Sequence, residues 1–340
     1  MARRRLTWRS AVLLTVGGVL AALLAIELGV RIATHSLLAL HGNEVEDCCY
    51  TDPLVGRLIQ YRGSGHHPTK GFTMSVGDHG IRLNDRPTPA AVRPLILAVG
   101  DSFAFGDGVD DRDAWPAVLE EVSGQRVINA GMIGFGLDQA VLRAEQLIDV
   151  YRPDTLVVAF IPHDILRCEM SYWSGFSKPY FEVADGSLRL HPAEVPPPVP
   201  FASLKRLLSL SMTLDLLYPR YLHWQGPEAL AVHHQGREVA CLLMERLAAL
   251  ARAHGTRVVV LAHPQQPATP DADRATKDAV LACARANGLL ALDLFPVFEA
   301  IPADQQGEYF ERHFTAKGYR LVATELAAFL AAQAAAPPRS

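Results

Sequence analysis

Four short segments of this chain carry side chains suited to moving an acyl group. Asp101-Ser102 closes the apolar run Leu95–Val99 after one glycine, Gly100, and Asn129-Ala-Gly-Met-Ile-Gly134 follows a second such run. Ile161-Pro-His-Asp164 ends a third, and Glu311-Arg-His313 precedes the last helical pattern. Acyl transfer needs a hydroxyl nucleophile, an imidazole to take its proton, a carboxylate to orient the imidazole, and donors for the developing oxyanion. Taken alone, Asp101-Ser102 reads first as a helix cap. The chemical reading therefore needs all four segments in one place.

The intervening elements can bring them there. From Pro94 onward, buried-strand patterns alternate with helical ones, the signature of a parallel sheet covered on both faces. The strands are expected at Leu95–Val99, Arg126–Ala130, Thr155–Ile161, Arg257–Ala262 and Leu289–Leu294. Helices are expected over Ala114–Val122, Leu137–Tyr151, Asp271–Asn287 and Ala316–Ala332. The fold class is α/β, a three-layer α/β/α sandwich with about five strands in the sheet. Ligands bind such sheets at the carboxyl ends of the strands, where three of the four segments lie.

In that order of elements, Gly100-Asp-Ser-Phe103 resembles the first block of the SGNH (GDSL-type) hydrolases, and Asn129–Gly134 resembles the second. Ile161–Asp164 stands where their third block, Gly-x-Asn-Asp, belongs, and His313-Phe-Thr-Ala-Lys-Gly318 resembles the last. The likeness spans residues 94–330 and implies a flavodoxin-like sheet and an ester hydrolase working through an acyl-serine. It implies Ser102 as nucleophile, His313 as base and Glu311 as its acid partner, with Asp293 and Asp304 as fallbacks. The oxyanion donors it implies are the N–H groups of Ser102 and Gly134 and the ring of His163. Two positions depart from the pattern: His163 replaces the family's asparagine, and Glu311 replaces an aspartate. The resemblance implies no cofactor and no metal. It leaves open hydrolysis, O-acyl transfer to an envelope polysaccharide, and a non-catalytic carbohydrate-binding or assembly role. The substrate is expected to be a small-molecule or glycan ester.

Other readings fit less well. Gly106-Asp-Gly108 and Gly131-x-x-Gly134-x-Gly136 miss the dinucleotide fingerprint, and Asp107, Asp110 and Asp111 would repel a pyrophosphate. An α/β-hydrolase elbow needs glycine where Ala104 stands. A net charge of −4 over 340 residues, with scattered Lys and Arg, gives no nucleic-acid footprint. His66-His67 on a glycine-flanked loop reads as solvated.

Residues 1–10 form a basic tail and 11–31 an apolar span long enough for a bilayer, with the basic end expected in the cytoplasm. Together with the resemblance, this implies a membrane-tethered, periplasmic bacterial subgroup. Glu27 lies near the outer end, in reach of Arg31 at i+4. A cleaved signal peptide is the alternative. Residues 42–93 are expected to be an extension with a hairpin around 72–83, and 331–340 a flexible tail. Residues 168–226 are an insertion, with a hairpin across Ala184–Ser187, polyproline at 195–200 and a helical stretch Leu204–Leu217, placed as a lid or as surface elaboration. Cys241 and Cys283 are expected as buried thiols, and a bond from Cys48 or Cys49 to Cys168 is possible.

Overall fold

The computed structural model describes residues 7–33, 49–52, 54–59, 63–66, 71–85, 92–174, 176–194, 201–218 and 229–335. They fall into two compact units, Met1–Cys48 with Pro197–Pro227, and Cys49–Pro196 with Glu228–Ser340.

In the larger unit five strands form one sheet: β1 (Leu95–Val99), β2 (Arg126–Asn129), β3 (Thr155–Phe160), β4 (Arg257–Ala262) and β5 (Leu290–Asp293). The spatial order is β2-β1-β3-β4-β5, and every pairing is parallel. Order reverses between β1 and β3, so a crevice opens at their carboxyl ends. Successive side chains of a strand point to opposite faces. Ile96, Ala98, Val157, Ala159, Val259 and Leu261 pack with Trp115, Val118, Tyr319, Val322 and Leu326 of helices Trp115–Ser123 and Ala316–Ala335. The opposite face carries Leu137–Tyr151, Gly236–His254 and Asp271–Ala286. This is the expected three-layer architecture, with strand ends within a residue of expectation. The last helix runs on to Ala335, into the stretch read as a flexible tail.

The extension is a set of small pairings. Cys49–Asp52 pairs with Gly56–Ile59, and Gly63–His66 with Thr73–Val76. The return expected after Val76 is a tight one, with Leu83 N–H donating to Ser75 O at 2.8 Å. Arg82 then bridges to Asn129 at the edge of β2. His67 and 195–200 lie outside the described residues.

Two cysteine expectations are overturned. Cys241 and Cys283 form a disulfide that joins helices Gly236–His254 and Asp271–Ala286. Cys168 is a buried free thiol and bonds to neither Cys48 nor Cys49. A helical apolar face hides such a pairing, because each cysteine packs as a small hydrophobe would. At a sequence separation of 42, loop entropy makes the disulfide worth about 4 kcal/mol.

In the smaller unit one helix, Trp8–Ala33, is long and apolar enough to cross a membrane and buries none of its residues. The insertion is divided between the units. Its first part, with the hairpin Tyr180–Ala184/Ser187–His191, belongs to the larger unit. Helices Ala202–Leu208 and Met212–Leu217 belong with the N-terminal helix.

Candidate active site

β1 delivers the serine at the crevice. Its five residues are fully buried, and the chain turns at Gly100 against β3. A Cβ at Gly100 would lie 2.6 Å from Ala159 O and 2.8 Å from Ala104 Cβ, so only glycine fits. The short helix Ser102–Phe105 is capped by Asp101, whose Oδ1 accepts the Phe103 N–H at 3.0 Å. Capping therefore falls to Asp101, and the Ser102 hydroxyl is left for other work. Its Oγ lies 2.9 Å from Nε2 of His313.

His313 comes from the loop before the last helix. Its ring packs on Phe103, centroids 4.7 Å apart, and Phe103 in turn meets Phe314 at 5.0 Å. Phe298 stacks on Phe314 and Phe310 flanks both, so an aromatic cluster holds the loop. The carboxylate at the other ring nitrogen is Asp107, with Oδ2 3.8 Å from His313 Nδ1. That is an ion-pair distance, longer than a hydrogen bond. Catalytic contacts of this kind commonly tighten when substrate binds. Glu311 is exposed, and its contact with His313 runs through the backbone, Glu311 N–H to His313 O at 2.9 Å. Asp293 is committed to Lys277 Nζ at 2.6 Å and the Phe295 N–H at 3.0 Å, and Asp304 is exposed. The structure thus sets Asp107 where the sequence reading set Glu311.

Asp107 is itself held in place. The N–H groups of Gly106 and Asp107 both donate to Ser102 O, at 2.9 and 3.0 Å, and the Tyr319 hydroxyl donates to Asp107 O at 3.2 Å. Behind this loop lies Arg82, almost fully buried. Its guanidinium donates to Phe105 O at 3.1 Å, Val109 O at 2.6 Å, Gly106 O, and Asp111 Oδ1 at 2.9 Å. The planar fork of five donors suits an arginine to bind several fixed acceptors at once. The extension therefore supplies the residue that shapes the loop after the serine. Nothing in the sequence around Arg82 marked it, because its acceptors are backbone carbonyls that assemble only on folding.

The second and third segments meet at Trp173. Asn129 Nδ2 donates to Phe105 O at 3.0 Å, and its Oδ1 accepts the Gly131 N–H at 3.1 Å. Gly131 packs so tightly that a Cβ would lie 2.3 Å from Phe105 N. Gly134 has φ +83°, and a Cβ there would face the Trp173 ring at 3.6 Å. The His163 ring meets the same tryptophan edge-on at 5.2 Å. Trp173 is carried by the arm after residue 168. Lys178 fastens that arm by donating to Asp138 Oδ2 at 2.6 Å and Met170 O at 3.0 Å. Among the described residues, no hydrogen bond engages the His163 ring or the N–H groups of Ser102 and Gly134.

Beneath these groups lies a buried charged cluster. Arg167 Nη1 sits 2.6 Å from Asp164 Oδ1 and 3.8 Å from Asp101 Oδ2, and donates to Phe135 O at 2.8 Å. Asp164 Oδ2 accepts the Ile161 N–H at 3.0 Å, locking the third segment's turn. Burial pushes the Asp101 carboxyl up to about 6 and Asp164 well above the carboxylate range, against the pull of Arg167. Burial and the nearby Arg167 push His163 below the usual imidazole value, so it is neutral at pH 7. A fully buried His263, at the end of β4, packs on Phe103 at 5.1 Å and is pushed down to about 4 by burial.

Two clefts open beside residues of the motif segments, one at His313 and one at His163. One, about 370 Å³, is lined by Asp107, Val109, Glu311, His313 and Thr315. The other, about 530 Å³, is lined by His163, Glu169, Arg237, Glu238, Gln265 and Asp273 among others. Among the described residues, no group of three His, Cys, Asp or Glu side chains is arranged to hold a metal.

No family model matches the chain, and no curated protein does. Solved structures similar to it include a lipase/acylhydrolase from Enterococcus faecalis, at 14% identity over 73% of this chain and 100% of that one, TM-score 0.41. A GDSL-like lipase from Bacteroides thetaiotaomicron is 11% identical over 72% and 89%, TM-score 0.39. A protein of the G-D-S-L family from Desulfitobacterium hafniense is 15% identical over 69% and 99%, TM-score 0.40.

Proposed function

We propose that this chain is a membrane-tethered, extracytoplasmic serine esterase of the SGNH type, with Ser102, His313 and Asp107 as its catalytic groups. One observation carries the reading: two side chains far apart in sequence come within 2.9 Å, hydroxyl to imidazole, at the carboxyl end of β1. The motif segments point independently to Ser102 and His313, and to Glu311 rather than Asp107 as the acid. The disulfide and the apolar N-terminal helix support an oxidising compartment beyond a membrane.

The mechanism we propose is acyl transfer through the serine. His313 Nε2 takes the Ser102 proton as Oγ attacks the ester carbonyl carbon. Asp107 stabilises the imidazolium. The N–H groups of Ser102 and Gly134 and the neutral His163 ring are the donors for the oxyanion. Collapse breaks the ester C–O bond, and the leaving alcohol takes the proton from His313. Water then attacks the acyl-serine, again giving its proton to His313, and the acid leaves with the serine restored.

The cleft beside His163 favours a second reading of the last step. Its wall of carboxylates, Arg237 and Gln265 suits a hydroxylated alcohol better than a long alkyl chain. A sugar hydroxyl taking the place of water would make the same site an O-acyltransferase. The test is acetate release from 4-nitrophenyl acetate by the detergent-solubilised full chain, with and without an acceptor glycan, beside Ser102→Ala. Serine-dependent release supports the esterase, and serine-dependent transfer to the glycan supports the transferase. Equal rates in parent and Ser102→Ala would leave a binding protein.

A further inference from the structure

The N-terminal helix carries a carboxylate in its apolar length, and its partners explain the second half of the insertion. Glu27 Oε1 accepts the Met212 N–H at 2.8 Å, and Oε2 accepts the Ser211 hydroxyl at 2.8 Å and the Thr213 N–H at 3.0 Å. Arg31 Nε donates to Glu27 at 2.7 Å, and Arg31 Nη2 donates to Leu210 O at 2.7 Å. The start of the Met212–Leu217 helix is thereby fastened to one level of the N-terminal helix. From Trp8 to Glu27 the helix rises about 28 Å. The hydrocarbon layer of a bilayer is about 30 Å thick. A helix that enters at Trp8 has Glu27 at the far edge of that layer, the depth at which a charge with four polar contacts is tolerated.

The two short helices and the residue before them present apolar side chains that are exposed among the described residues. Phe201 is 74% exposed, Leu204 52%, Leu207 63% and Leu217 65%. On the N-terminal helix itself Leu20 and Leu24 are likewise exposed. Helices with this character lie in the plane of the membrane interface, their apolar face about 5–10 Å into the headgroup boundary.

We infer that residues 201–217 form a second membrane contact, a collar lying in the outer interface of the bilayer and locked to the span through Glu27. The collar rests on the reading of Trp8–Ala33 as a membrane span. Its partner is the lipid itself. The collar fixes the rotation of the span about its own axis, where a lone span would be free to swivel.

The experiment reconstitutes the full chain in phosphatidylcholine vesicles brominated at shallow or deep acyl positions. Leu207→Trp and Leu217→Trp report on the collar and Leu20→Trp on the span, each read against the parent's own tryptophan emission. The collar predicts loss of the added emission at positions 207 and 217 with shallow bromines, and loss at position 20 with deep ones. Quenching at 20 without quenching at 207 or 217, whether those residues face water or a second copy, overturns the collar and leaves the span. No quenching at any position overturns both.

Discussion

Replacing Asp107 by asparagine separates the two carboxylates that compete for His313. Asp107 Oδ2 lies 3.8 Å from Nδ1 and is largely buried, whereas Glu311 points to solvent. Two unit charges at that separation attract by about 4 kcal/mol at an effective dielectric of about 20, the value suited to a partly buried pair. In the proposed mechanism the imidazolium exists only while the ester bond is changing, so the attraction lowers the barrier rather than tightening ground-state binding. At about 1.4 kcal/mol per tenfold, Asp107→Asn should lower kcat about 10³-fold with little change in KM. Glu311→Gln should leave kcat close to the parent value. The assay is release of 4-nitrophenol from a short-chain ester at pH 7.5, with thermal melts confirming that both variants fold. A large loss in Glu311→Gln with parent-like Asp107→Asn would refute the assignment.

Three further outcomes follow from the same geometry. His163→Ala removes one of the proposed oxyanion donors and should cost about 10²–10³ in kcat, measured on the same ester; unchanged kinetics would take His163 out of the site. Arg82→Lys keeps the charge beside Asp111 but leaves carbonyls of the 105–109 loop without a donor, at about 1–3 kcal/mol for each. Urea unfolding should show that loss and kcat should fall with it, while full activity would sever the loop from the site. His263 titrates near 4 in the native state and near 6.5 in the free chain, so the unfolded state binds more protons between those values. Its contribution is intact above pH 6.5 and is lost as pH falls toward 4, about 2 kcal/mol of it by pH 5. The loss in melting temperature from pH 7 to pH 5 should shrink in His263→Leu, and an unchanged loss would contradict the assignment.

The sheet was legible because each of its strands is a short apolar run bounded by turn residues, a pattern few alternatives share. Ser102 and His313 were legible for a related reason, since each sits just outside an element whose end is sharply marked. Asp107 was not. In the linear sequence it is one of several acids in a glycine-bounded loop, where its charge argued only against binding phosphate. It reaches His313 because Arg82, Tyr319 and the Ser102 carbonyl fold the loop back, and none of those contacts leaves a periodic trace. Trp173 and the pair Cys241–Cys283 were hidden likewise, each defined by a partner on another element. The proximity of Asp107 to Ser102, five residues on, is the one signal that pointed to it.

The central claim is that the Ser102 hydroxyl is a nucleophile activated by His313, and covalent labelling tests it most directly. Treating the full chain with a fluorophosphonate and mapping the adduct by peptide mass spectrometry should find one phosphonylated residue, Ser102. The label should be lost in Ser102→Ala and slowed by orders of magnitude in His313→Ala. An unlabelled parent chain, or an adduct on another residue, would contradict the account.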